Sequence, residues 1–128
     1  MPAAFAEVET FADLLDELGG ISPSRVRLRP TPGRATEKDV IRIEAEENRL
    51  FELVDGVLVE KAMGARESLF ALHIGFLLKT YLQSNDLGVA LGADGMMRLR
   101  QRLVRIPDVS FISWDQIPGG EFPEQPIP

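Results

Sequence analysis

The chain has 128 residues, 45% apolar and 27% charged, with a net charge of −6, which suits one domain around a single core and argues against broad nonspecific nucleic-acid binding. It has no cysteine and one histidine, His73, which excludes disulfides, thiolate metal sites, cysteine nucleophiles and multi-histidine zinc centres, and any Ser-His-Asp triad not served by His73. The first residues lack the basic-then-apolar pattern of a signal peptide, and no stretch approaches the ~18 apolar residues of a membrane span, so a cytoplasmic protein is expected.

Residues 1–20 hold five acids and no base. Within them Phe11, Leu14, Leu15 and Leu18 follow the i, i+3, i+4, i+7 pattern, which predicts a helix over 10–18. Thr10 caps it, Asp13 stands at the reciprocal position of a capping box, and Gly19-Gly20 ends it. Residues 21–35 carry Arg25, Arg27, Arg29 and Arg34 with three prolines and no acid. The alternation there predicts an extended arm or edge strand with arginines on one face. Thr36 and Asp39 form a second capping-box signal, opening a helix to about Glu47 with acids in the first turn, where the helix dipole favours them.

Two β-prone runs flank Asp55-Gly56, the pair preferred in a type I′ turn, so residues 51–60 predict a hairpin. A two-residue loop pairs Val54 with Val57, Leu53 with Leu58, Glu52 with Val59 and Phe51 with Glu60. Both faces are mostly apolar, so both are expected to be covered. A carboxylate on either face must then be paired, hydrogen bonded or metal bound.

Residues 65–83 predict the main helix. Glu67, Phe70, Ile74, Leu78 and Tyr81 form one stripe, widened by Leu69, Leu72, Phe76, Leu77 and Leu82, which predicts burial of much of its circumference. Strand pieces follow at 88–93 and 96–99 around Asp94-Gly95, and a further strand at 103–113. Pro107-Asp108 inside the last implies an edge, a bulge or a break in pairing. Residues 96–107 hold Arg98, Arg100, Arg102 and Arg105 and no acid. These arginines either pair with the surplus acids or offer one face to phosphate. The tail over 116–128 has no periodicity and reads as a connector.

Phosphodiester hydrolysis uses carboxylates from different elements to hold a hard cation, with a lysine nearby. Asp108 at the strand kink, Glu67 in the first turn of the main helix, and Glu52 and Glu60 on the hairpin are the acids placed for it. Each also has a structural reading: a turn carboxylate bonded to backbone for Asp108, a dipole-favoured first-turn acid for Glu67, and an ion pair with an arginine of the extended arm for Glu52. His73 reads as a helix histidine, and the segment 92–95 as a turn.

The order of features is more specific than any one of them. A hairpin reading Phe-Glu-Leu-Val-Asp-Gly-Val-Leu-Val-Glu-Lys is followed by a Met-Gly-Ala-Arg-Glu-Ser turn into the main helix, then Gly92-Ala93-Asp94-Gly95, then Arg105-Ile106-Pro107-Asp108-Val109-Ser110. From about residue 36 onward this resembles the Uma-two family of restriction-endonuclease-like proteins. The resemblance implies an α+β fold of the PD-(D/E)XK nuclease kind, a restriction-endonuclease-like core with a helix packed on a curved mixed sheet. Residues 1–35 would form an N-terminal helix and arm, and residues 36–128 the N-terminal part of the nuclease-like domain. It further implies that Asp108 and Glu67 bind metal, that Glu52 joins them in catalysis, and that Mg²⁺ or Mn²⁺ is the cofactor. DNA would be the substrate, contacted by Arg98, Arg100 and Arg102.

Family members continue with a strand of the Val-Val-Glu-Val-Leu-Ser kind and a basic helix, whereas this chain runs into Pro126-Ile127-Pro128. The expectation is therefore a metal-dependent endonuclease domain lacking its C-terminal strands and inactive by itself. The alternative is a non-catalytic interaction or oligomerisation protein that retains the fold. Its open sheet edges would favour a homo-oligomer. A third reading is a small acidic ligand held by Arg98, Arg100 and Arg102.

Overall fold

A computed structural model describes residues 5–62, 64–122 and 126–128. In chain order the elements are α1 (Phe11–Glu17), β1 (Val26–Arg27), α2 (Glu37–Glu47), β2 (Phe51–Val54), β3 (Val57–Glu60), α3 (Ala65–Ser84), β4 (Gly88–Leu91), β5 (Met97–Arg100), β6 (Leu103–Arg105) and β7 (Ser110–Ser113). The strands form a five-stranded sheet in the order β1-β3-β2-β6-β5 and a separate β4-β7 pair. All named strands pair antiparallel. The architecture is α+β with three helices and an open, mostly antiparallel sheet, consistent with a restriction-endonuclease-like fold.

The hairpin organises the larger sheet. Its register is Phe51 with Glu60, Glu52 with Val59, Leu53 with Leu58 and Val54 with Val57, as the Asp-Gly turn predicts. Asp55 and Gly56 both take positive φ, 49° and 83°, the backbone that a type I′ turn demands. Both faces are covered. Phe51, Leu53 and Leu58 join Val40 and Ile43 of α2 in one core cluster, with Met96, Val104 and Ile106. Val54, Val57 and Val59 pack with Leu14 of α1 and Val26 of β1 on the other side.

The helix caps follow the predicted chemistry. Thr10 Oγ1 accepts from the Asp13 amide at 3.1 Å, and Asp13 accepts from the Thr10 amide at 2.9 Å. Asp39 accepts from the Thr36 amide at 2.8 Å and from its hydroxyl at 3.2 Å. The arginine-rich arm contributes only the two residues of β1, which lie at the sheet edge beside β3.

Two expectations fail. The main helix is present over Ala65–Ser84, but none of its described side chains is buried. Its half-buried stripe is Ala71, Gly75, Leu78 and Leu82, one step round from the predicted face. The reason is size. A 20-residue helix is roughly 30 Å long, while its packing partner is a sheet of two four-residue strands, each about 13 Å. Leu69, Phe70, Leu72, Ile74, Phe76, Leu77 and Tyr81 are all more than half exposed.

The tail is also more than a connector. Ile127 makes a parallel bridge to Met97, donating to Met96 O at 2.9 Å and accepting from Arg98 N at 2.7 Å. Ile117 and Ile127 are buried with Ile112 of β7. Residues 123–125 lie outside the described residues. In the small sheet, Trp114 follows β7 and its indole N–H donates to Asp86 Oδ1 at 2.7 Å. Among the described residues no helix is long and apolar enough to cross a membrane.

Candidate functional site

The predicted strand over 103–113 is broken in the middle, and its halves serve different sheets. β6 belongs to the large sheet and β7 to the small one. Pro107 has no amide to continue a ladder, so the chain changes sheets at Pro107-Asp108, leaving Asp108 half exposed at the crossing.

Glu67 reaches the same place from α3. It stands in the first turn, and its carboxylate lies back over the helix start, where a Cβ on Gly64 would collide with Oε2. Glu67 and Asp108 line one groove of about 580 Å³ between α3 and β7, with Phe70, Ile74, Leu78 and Phe111 among its walls. Asp108 also borders a second groove of about 620 Å³ on the β4 side of α3, with Leu72, Phe76 and Lys79. Two acids from separate elements therefore open onto one cleft.

Glu52 does not line either groove. Its Oε2 accepts from the Ile106 amide at 2.8 Å, and its Oε1 lies 3.6 Å from Arg105. The β2–β6 ladder runs through Leu53–Val104 and Val54–Leu103. Glu52 thus takes up the next amide where that ladder stops. It holds the strand two residues before Asp108 rather than facing the cleft, and its arginine comes from β6, not from the arm. Glu60 is likewise engaged, by Arg49 at 2.6 and 3.2 Å.

Sequence reasoning missed Lys61, the residue after β3. Its side chain is 7% exposed, and its Nζ lies 3.0 Å from Asp108 Oδ1. The same ammonium donates to Ala93 O at 2.6 Å. The available signal was a lysine one residue beyond the apolar run Val57-Leu58-Val59, after Glu60, where a side chain drawn toward the core must find acceptors.

The arginine cluster is committed within the chain. Arg98 makes a two-pronged pair with Glu37, and Arg100 with Asp55 at 2.7 and 3.1 Å. Arg102 donates to Gly33 O and Asp55 O. Hydrogen bonds from Arg100 hold the Asp55 carboxyl below its ordinary range against the opposing effect of partial burial. Arg100 and Arg102 gather at the hairpin tip, whereas Lys61 and Asp108 meet beyond the other end of β3, roughly 13 Å away along the strand. A phosphate at Arg98 or Arg100 would have to displace a carboxylate already bound. His73 is an exposed mid-helix residue.

Among the described residues, no group of three or more histidine, cysteine, aspartate or glutamate side chains converges in a way that could hold a metal ion. Glu67 and Asp108 are the two acids lining the groove beside α3 that could hold a cation. None of the curated proteins compared with the chain matches it. Residues 36–127, more than half of the chain, match the family model Uma2, described as "putative restriction endonuclease", and the chain belongs to that family.

Proposed function

We propose that the chain carries the cation-binding acids of a metal-dependent endonuclease acting on DNA phosphodiesters, with Glu67 and Asp108 as the acids. The observation that supports this most is their presence in a single groove although they come from a helix start and a strand kink 41 residues apart. A bound Mg²⁺ or Mn²⁺ would supply positive charge to a phosphate oxygen and an acidified water. Glu67 and Asp108 would hold that cation, and Glu52 holds the kink through the Ile106 amide. With two acids rather than three, this chain alone should bind the cation weakly and turn over slowly.

The test is Mn²⁺ binding followed by electron paramagnetic resonance, with wild type against Asp108→Asn and Glu67→Gln. Asn at 108 keeps an acceptor for Lys61, so the fold is spared. Each variant is expected to lose at least about tenfold in affinity, the scale on which metal sites lose affinity even when a supporting partner is removed. Equal binding by wild type and both variants would remove the cation from this groove.

A second reading is favoured by α3. Seven large apolar side chains on one helix are more than half exposed, and contiguous patches of that kind mark interaction surfaces. In this reading the chain is a non-catalytic oligomerisation protein whose α3 is covered by a second copy. Light scattering at high concentration should then give twice the chain mass, and Leu72→Glu with Phe76→Glu should return it to one. A wild type that stays monomeric throughout sinks this reading.

A further inference from the structure

We infer that Lys61 is the positioning residue of the Glu67–Asp108 groove, its buried ammonium pinning the Asp108 carboxylate and the Ala93 carbonyl to the end of the large sheet. This rests on the proposed role of Asp108 as a cation ligand. Three observations carry it.

The first is topology. Lys61 directly continues β3 of the five-stranded sheet. Ala93 follows β4, and Asp108 precedes β7, so both belong to the same end of the two-stranded sheet. One ammonium therefore ties both strands of the small sheet to the large one at the point where the chain crosses between them. No other side chain among the described hydrogen bonds and ion pairs links these three segments.

The second is exposure. Lys61 is 7% exposed and Asp108 49%. The lysine lines neither groove beside α3, whereas both groups it holds, Ala93 and Asp108, line the larger one. Lys61 thus acts from behind the cleft wall, through Asp108, rather than on anything bound in the cleft.

The third is geometry. At 3.0 Å the ammonium engages Oδ1 of Asp108. A carboxylate with one oxygen fixed has lost rotation about its last torsion, and its half-exposed remainder is offered to the groove. Pre-orienting a ligand in this way is what outer-sphere partners do at metal sites. Lysine's compact ammonium suits a two-acceptor pin better than a forked guanidinium, yet arginine keeps the charge and the donors.

The experiment compares wild type, Lys61→Met and Lys61→Arg by two readouts. Amide hydrogen exchange should speed up about tenfold in Lys61→Met over the two strands of the small sheet, residues 88–91 and 110–113, with the hairpin and α2 unchanged, and Lys61→Arg should restore protection. Mn²⁺ affinity should fall about tenfold in Lys61→Met and return to within about threefold of wild type in Lys61→Arg. Unchanged exchange in those two segments overturns the proposal. So does tighter Mn²⁺ binding by Lys61→Met, which would make the lysine a competing counter-ion. If wild type binds no Mn²⁺, the metal reading of the groove fails. The exchange arm then decides the pin alone: faster exchange confined to the two segments and reversed by arginine supports it, and faster exchange spread over the whole chain overturns it.

Discussion

Replacing Phe51 by alanine should lower the unfolding free energy by about 3–5 kcal/mol, the range for removing a buried aromatic side chain. Phe51 is 2% exposed and sits in the cluster between the large sheet and α2. Its ring is also flanked by charge. The guanidinium carbons of Arg27 and Arg49 lie 5.6 and 5.1 Å from the ring centroid. Those arginines are themselves held, Arg27 by Glu47 and Arg49 by Glu60. Losing the ring empties the core and removes two cation–π contacts of about 0.5–1 kcal/mol each. Phe51→Leu retains most of the buried volume and should cost markedly less. Urea unfolding followed by circular dichroism gives the comparison, with the midpoint shifted and the slope unchanged. A loss below about 1 kcal/mol for alanine would show that this core relaxes far more than folded cores do.

Gly56→Ala should cost about 3–4 kcal/mol, although the change adds a single methyl group. Gly56 has φ of 83°, where an L-residue other than glycine is strained by roughly 1–2 kcal/mol. The new Cβ would also collide with the Gly33 carbonyl and the Arg102 guanidinium. That approach is close because the arm folds across the hairpin tip. The amides of Gly33 and Ala35 both donate to Gly56 O, at 2.8 and 2.9 Å. Moving the arm to admit a methyl group weakens both bonds, each worth about 1 kcal/mol. Asp55→Asn is the matched control. Asparagine is favoured at that turn position, and the pair lost with Arg100 is partly exposed, worth no more than about 1 kcal/mol. Chemical denaturation of the two variants side by side should separate them by at least about 2 kcal/mol. Equal stabilities would mean that the arm does not press on the turn.

What was legible in the sequence is what short-range chemistry decides. Asp55-Gly56 fixed the hairpin register, Thr10 and Thr36 fixed two helix starts, and Pro107 announced the break that carries Asp108. The misses share a different cause. The apolar stripe of α3 implied burial, but periodicity states that a face is apolar without supplying a neighbour to cover it. Ile127 docks by one side chain and two backbone hydrogen bonds, too short a segment to leave a pattern. Glu52 was readable as a carboxylate needing a partner, yet that partner is a backbone amide 54 residues away. Lys61 meets Asp108 across 47 residues, and no spacing rule connects a strand end to a kink in another sheet. Arg98, Arg100 and Arg105 paired with acids outside their own segment, and Arg102 bonded to backbone carbonyls, the outcome that an acidic chain with local basic runs allows.

The chain's one tryptophan and one tyrosine also divide the molecule optically. Trp114 is anchored to Asp86 beside the two-stranded sheet, and Tyr81 lies on the helix that packs there. The five-stranded sheet and its core clusters contain neither fluorophore. Emission excited at the red edge of the indole band is therefore a local gauge of the smaller half, blind to melting of the larger one. The far-ultraviolet dichroism signal instead averages over both, so the gap between the two curves measures how tightly the halves are coupled.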